Sequence, residues 1–361
     1  MLDGLGGVFL KGPRRKPSVS PKNLLLVRLD HLGDVWNSTG LPKAIKEYLP
    51  QCRVTCLVSH AAAPLLEANP FVDEVLLFDA PWFWKKRKPQ SVRDLLRELK
   101  KRHFDAALSL RGDIREHWLL YRAGIPRRLG PGITGGGFLL TDEIAWDENE
   151  HELERPGRAL EALGLPWQVW KPEIHFAENE QERLLNELAA KGLPRGKKVV
   201  GFQMEAGSSA KTWPAGYSAQ FISHFLKEKP SATLALTGTD RVRSEEIVER
   251  VEPKFRPQIL NLCGRVTLRE LAAAADQFSL FIAPDSGPGH MLSWLGTPTL
   301  FLYSGTNHYE SWKPLPENAR VLRHSVSCSP CGLRICPVKG HPCMEGIEPD
   351  KVVLTALERL G

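Results

Sequence analysis

Residues 23–58 read NLLLVRLDHLGDVWNSTGLPKAIKEYLPQCRVTCLV, and the order of their parts decides the fold. An apolar run, NLLLV, leads through a polar turn into the helix-period segment LPKAIKEYL and then into a second apolar run, RVTCLV. Two buried strands joined through a helix predict a parallel β-α-β unit with a right-handed crossover. The alternation continues outward. AAAPLLEAN predicts a helix, EVLLF a strand, VRDLLRELKKRHF an amphipathic helix and DAALSL another strand, and IPRRLGPG reads as a turn-rich connection. The second half repeats the logic with strands at KKVVGFQ, ATLALTG, QILNLCG, LFIAPDSG and TPTLFLYSG. The helices between them are GYSAQFISHFLKE, RSEEIVERV and TLRELAAAADQ. The expectation is an α/β protein of two doubly wound, Rossmann-like domains facing a central cleft, with ligands beyond the carboxyl ends of the strands.

At 361 residues the chain exceeds one comfortable core and suits two domains of about 150–180 residues. Residues 1–21 hold Gly, Pro, Lys and Arg without periodicity and read as a basic tail. The domains are expected at 22–180 and 181–345, with HFAENEQERLLNELAAKGLPRGKK as the connection around one helix, and a closing helix at 346–361. Lys plus Arg exceed Asp plus Glu by 48 to 42, a surplus that suits an anionic ligand or membrane surface and argues against a dedicated nucleic-acid binder. No run approaches the roughly 18 apolar residues of a spanning helix, and the N-terminal charges follow only a short apolar patch, so a cytosolic-side protein is expected.

The turn RLDHLGD places Arg28, Asp30 and Asp34 at the carboxyl edge of the first strand. Asp34 is expected either as the cap of a helix beginning near Val35 or as a catalytic carboxylate. Arg28 at the end of a buried strand needs a partner, which Asp30 or Asp34 could supply. In LFIAPDSGPGHMLSWLGTP (residues 280–298) a strand ends in Asp285 and a helix opens with Ser286, Gly287, Pro288, Gly289 and His290, a start suited to phosphate. In FQMEAGSSAKTWP (residues 202–214), Gly207, Ser208, Ser209 and Lys211 combine backbone freedom, hydroxyl donors and a point charge, which suits a diphosphate. Neither stretch has the GxGxxG or P-loop spacing, so nicotinamide and P-loop chemistry find no support. Asp240, at the end of LALTGTD, could accept from ribose hydroxyls. PWFWKKRKP (residues 81–89) sets Trp82 and Trp84 before Lys85, Lys86 and Arg87. It reads either as a contact for anionic lipid or as a loop tucking its aromatics onto the first domain. CSPCGLRICPVKGHPC carries Cys328, Cys331, Cys336 and Cys343, either a zinc knuckle or a reduced structural loop.

Taken in order, RLDHLGDVWNST, PLLEANPFVDEVLLFD, AGSSAKTWP, APDSGPGHMLSWLGTP and CSPC…CPVKGHPCM resemble the lipopolysaccharide heptosyltransferases of glycosyltransferase family 9, from about Asn23 to the C-terminus. The resemblance implies a GT-B fold with an N-terminal acceptor domain and a C-terminal nucleotide-sugar domain. It also implies inverting, metal-independent transfer of heptose from ADP-heptose, with ADP as product and no cofactor required. The implied acceptor is the inner core of lipopolysaccharide, reached by a peripheral, monomeric protein on the cytoplasmic face of the inner membrane. On the matching positions Asp34 would be the general base and Lys211 would neutralise the departing diphosphate. Asp285 would contact donor sugar hydroxyls, the Ser286 and Gly287 amides would hold phosphate supported by His290, and Asp240 would bind ribose. Arg28, Thr39 and the aromatic-basic loop are expected on the acceptor side. Gly289 stands where the family commonly has Met, and Met204-Glu205 replace a usual His-Pro. The alternatives are a family 9 transferase with another nucleotide sugar, or a non-catalytic nucleotide-sugar-binding protein of the same fold.

Overall fold

The computed structural model describes residues 20–83 and 91–361. Most of the expected basic tail, and Trp84, Lys85, Lys86 and Arg87, lie outside the described residues. The chain divides into two compact units that meet between His175 and Phe176.

The first unit is built on six parallel strands: β1 (Asn23–Arg28), β2 (Arg53–Val58), β3 (Glu74–Leu77), β4 (Ala106–Ser109), β5 (Arg127–Pro131) and β6 (Asp142–Ile144). Their order across the sheet is β3-β2-β1-β4-β5-β6. β1 and β2 are buried on both faces, which is why they read as continuous apolar runs without alternation. The helices are α1 (Leu32–Trp36), α2 (Leu41–Tyr48), α3 (Val92–Lys101), α4 (Ile114–Arg122) and α5 (Arg155–Leu163). Ser91 and Asp113 cap α3 and α4 by accepting the first-turn N–H groups of Asp94 and Arg115. Leu25, Val27, Leu57, Leu95, Leu99 and Leu119 fill one side of the sheet.

The second unit repeats the plan with β7 (Val199–Gln203), β8 (Leu234–Thr237), β9 (Ile259–Asn261), β10 (Phe278–Pro284), β11 (Thr299–Tyr303) and β12 (Ala319–Arg323), ordered β12-β11-β10-β7-β8-β9. Its helices of six residues or more are α6 (Glu180–Ala190), α7 (Ala215–Glu228), α8 (Arg241–Arg250), α9 (Leu268–Ala273), α10 (Gly287–Trp294) and α11 (Pro349–Leu360). Phe202, Trp213, Phe221 and Phe225 form an aromatic centre. The closing helix α11 packs on α7 and β10, burying Val352, Val353 and Ala356. Read from the third strand of each unit, both sheets wind 3-2-1-4-5-6, so each has a switch point between its first and fourth strands.

Three local expectations are corrected. IPRRLGPG is not a loop: Arg127–Pro131 forms β5, whose Gly130 lies so close to β4 that a Cβ there would stand 2.8 Å from the Ser109 carbonyl oxygen. AAAPLLEAN yields only a single 3-10 turn, Ala63–Leu65, followed by a turn in which the Asn69 side chain accepts from Phe71 N–H and donates to Thr39 O. Asp34 is not a cap. Helix α1 begins at Leu32, and Asp34 sits inside its first turn.

Candidate functional site

In the first unit the carboxyl ends of β1 and β4 gather a charged cluster. Arg28 is 9 % exposed and its guanidinium is shared four ways. Nη1 donates to Leu110 O at 2.6 Å, Nε meets Asp30 at 3.1 Å, and Nη2 lies 3.4 Å from Asp34 and 3.8 Å from Glu152. Both partners suggested by the sequence are therefore present, and a third arrives from the segment after β6. Asp30 also takes Arg111 Nε at 2.9 Å. Glu152 is ion-paired with Arg155, whose guanidinium carbon stands 3.7 Å from the centroid of the Trp146 ring. Burial, with Arg28 close by, pulls Arg155 down to about 10. Beneath the cluster Glu116 is fully buried, accepts the Ser109 hydroxyl at 2.8 Å, and is pushed up to about 8, first by burial and then by Asp30.

Arg28, Asp34, Asn37, Trp146, Glu152 and Arg155 border a pocket of about 430 Å³, counting the space open to solvent. Trp146, Glu152 and Arg155 escaped the sequence reading because they lie in a segment with no motif of its own. The structure separates two other expected acceptor residues from this pocket. Thr39 is fully buried; its hydroxyl donates to Trp36 O and accepts the Glu173 N–H, both at 2.9 Å, so it fastens the chain internally. Trp82 packs on the core, its ring 5.9 Å from that of Phe78 and the Arg115 guanidinium carbon 5.6 Å from its centroid.

In the second unit the loops after β7 and β10 meet at one ion pair. Lys211 Nζ lies 2.7 Å from Asp285 Oδ2, bringing together the two stretches singled out in the sequence. Asp285 is 5 % exposed. It also meets His290 Nε2 at 3.1 Å and accepts from Asn307 Nδ2 at 2.8 Å. Burial opposes ionisation of Asp285, but Lys211 and His290 more than offset it, and the carboxyl is held well below the usual carboxylate range. Tyr303 Oη, 3.2 Å from His290 Nε2, donates to Trp312 O. Ser286 precedes α10, and its buried Oγ has no hydrogen-bond partner among the described residues. Such a group calls for a ligand or a solvent partner. Gly207, Ser208 and Ser209 form the loop leading into Lys211, tied internally by Thr212, which accepts from Ala206 N–H and donates to Ser208 O.

Asp240 caps α8, accepting Arg243 N–H at 3.0 Å, while Glu205 accepts the N–H groups of Thr239 and Asp240. The unusual Met204-Glu205 pair therefore has a local reason: Met204 is buried in the core and Glu205 ties the β8 turn. Gly289 has one too, since a Cβ there would stand 2.8 Å from Phe301 Cε1 and 2.9 Å from Ala283 Cβ. Asn307 was missed, although its place just beyond β11, at the carboxyl edge of a parallel sheet, is a signal that could have found it. The four cysteines gather in one place, where burial and then the nearby Cys336, Cys328 and Cys331 raise the Cys343 thiol. All four thiols are free, Cys343 is buried at the core edge, and no described group of three or more His, Cys, Asp or Glu is placed to hold a metal ion.

Two units wound this way, each with its polar cluster at the switch point, are the GT-B architecture, and the protein is a glycosyltransferase. The chain belongs to glycosyltransferase family 9 (heptosyltransferase), which matches residues 92–341. It is 24% identical over 292 residues to the lipopolysaccharide core heptosyltransferase OpsX of Haemophilus influenzae, covering 80% of each chain. Among solved structures, the ADP-heptose lps heptosyltransferase II of E. coli is similar with a TM-score of 0.73 at 21% identity, over 94% of this chain and 98% of that one. The family 9 glycosyl transferase of Veillonella parvula gives 0.78 at 22% identity, over 94% and 97%. No described helix is long and apolar enough to cross a membrane.

Proposed function

We propose that the protein transfers a heptose from ADP-heptose to the inner core of lipopolysaccharide at the cytoplasmic face of the inner membrane, with inversion at the anomeric carbon and Asp34 as general base. The observation that carries this reading is the setting of Asp34. It is a carboxylate bordering an open pocket, and Arg28 approaches it at only 3.4 Å while spending its shorter contacts on Leu110 and Asp30. A carboxylate steadied but not neutralised can take the proton of an acceptor hydroxyl as that oxygen attacks. The bond from the anomeric carbon to the diphosphate oxygen breaks in the same displacement, and ADP departs. Lys211, the loop Gly207–Ser208–Ser209 and the start of α10 with Ser286, Gly287 and His290 suit the negative charge that grows on the leaving group. Asp285 holds Lys211 in place for that task. Trp146 and Arg155 give the acceptor side an aromatic face and a cation.

The test is calorimetric titration with ADP-heptose, ADP-glucose and the corresponding UDP and GDP sugars, followed by ADP release on addition of a lipid A–core acceptor. Asp34→Ala should leave the donor Kd within about twofold and lower turnover by about 10²–10⁴. Turnover near the wild-type rate in that variant would remove the base assignment. Preference for another donor would keep the reaction and change the sugar, and binding without acceptor-dependent release would point to a non-catalytic protein.

A further inference from the structure

The cysteine-bearing segment 328–343 has no part in the reaction as described, yet it is bonded to both loops that hold Asp285. The Arg334 carbonyl accepts from Ala210 N–H at 3.1 Å and from the Ser209 hydroxyl at 3.2 Å. The Arg334 guanidinium returns a bond to Gly207 O at 3.1 Å, and His341 Nε2 reaches Ala210 O at 3.0 Å. At its other end the segment fastens to the loop after β11: Cys331 N–H donates to Gly305 O and Gly332 N–H to Thr306 O. The next residue, Asn307, bonds Asp285. A Gly-Ser-Ser loop is costly to order because each residue must give up backbone freedom. Ordering it before the ligand arrives removes that cost from binding.

We propose that Arg334 is a positioning residue of the donor site: its carbonyl and its guanidinium together grip residues 207–210, so that the loop and Lys211 stand ready before a nucleoside diphosphate sugar binds. The inference rests on the donor-site reading above. It gives the segment 328–343 the work of a brace between the β7 and β11 loops. The Arg334 guanidinium acts on the donor through Gly207.

The experiment compares full-length wild type with Arg334→Ala, Arg334→Lys and Lys211→Ala by ADP titration, steady-state kinetics in both substrates and thermal unfolding. Losing one exposed bond to a loop carbonyl, about 1–1.5 kcal/mol, should raise the ADP Kd and the donor KM about five- to twelvefold in Arg334→Ala. The turnover number should stay within about twofold and the acceptor KM unchanged, and Arg334→Lys should recover part of the loss. A purely architectural residue would instead lower the melting temperature and leave the donor KM alone, and that result overturns the proposal. If Arg334→Ala does not fold, His341→Ala, which deletes the segment's side-chain bond to Ala210 O, must raise the ADP Kd in its place. If Lys211→Ala weakens ADP binding and the Arg334 variants do not, the brace fails and the donor site stands. If Lys211→Ala also leaves ADP binding unchanged, the donor-site reading itself fails.

Discussion

Replacing Lys211 by Met tests the charge balance of the second unit. Lys211 and Asp285 are 2.7 Å apart, with side-chain exposures of 21 % and 5 %. At an effective dielectric of about 20 the attraction is roughly 6 kcal/mol. Desolvation of the ammonium offsets part of this, and His290 and Asn307 remain with Asp285 after the substitution. A net loss of about 3 kcal/mol follows, at the low end for breaking a buried pair. Lys211→Met with Asp285→Asn removes the stranded charge, so the double variant should regain about 2 kcal/mol over the single one. The assay is urea unfolding of the ligand-free protein, read as a double-mutant cycle. The pH dependence supplies a second check. Asp285 is depressed below its ordinary value near 3.8, so its contribution is complete above that pH and is lost as pH falls through the lower folded value. The gap between wild type and Lys211→Met should therefore narrow as pH falls, because Asp285 of the variant, buried without the ammonium, takes up a proton at a higher pH than the wild-type carboxyl. A single-variant loss under about 1 kcal/mol, or a double variant no more stable than the single, refutes this account of Asp285.

Two further outcomes are expected. Glu116, raised from 4.5 to about 8, stays protonated in the fold while the unfolded chain releases its proton, so its contribution is present below about pH 4.5 and declines by roughly 1.4 kcal/mol per pH unit up to about 8. Glu116→Gln should flatten that decline in thermal unfolding between pH 6 and 8, and equal slopes in the two proteins would exclude the effect. Gly289→Met, by forcing a side chain against Phe301 and Ala283, should lower stability by about 1–3 kcal/mol, and combining it with Phe301→Leu should restore part of the loss. No loss in the single variant would mean that the space is not closed.

The parts legible in the sequence are those whose cause is local. β1, β2, β7 and β10 are buried on both faces and announce themselves as apolar runs. Lys211 and Asp285 stand beside loops rich in Gly and Ser. β5 was hidden because Arg127, Arg128, Gly130 and Pro131 have the composition of a turn. In the fold Arg128 donates to the carbonyls of Leu139 and Ile125, and Arg127 to that of Ala162, so their charges are satisfied at the flank of the sheet. β12 is short and half-buried, and its ARVLR carries no run. Glu152, Arg155 and Asn307 depend on long-range placement: each contributes only because the winding returns its segment to the first or fourth strand of a sheet. Thr39 shows the converse, a residue type suited to a ligand but bonded within the chain.

The repeated winding has a consequence for how such a protein can diversify. The groups beside Asp34 and those beside Lys211 belong to separately cored units, encoded in non-overlapping stretches of the chain. A change in the segment carrying Trp146, Glu152 and Arg155 alters one half's chemistry while no residue around Asp285 need be re-optimised. The two clusters can thus drift on independent clocks, and a chimera joined near His175 could inherit one from each parent.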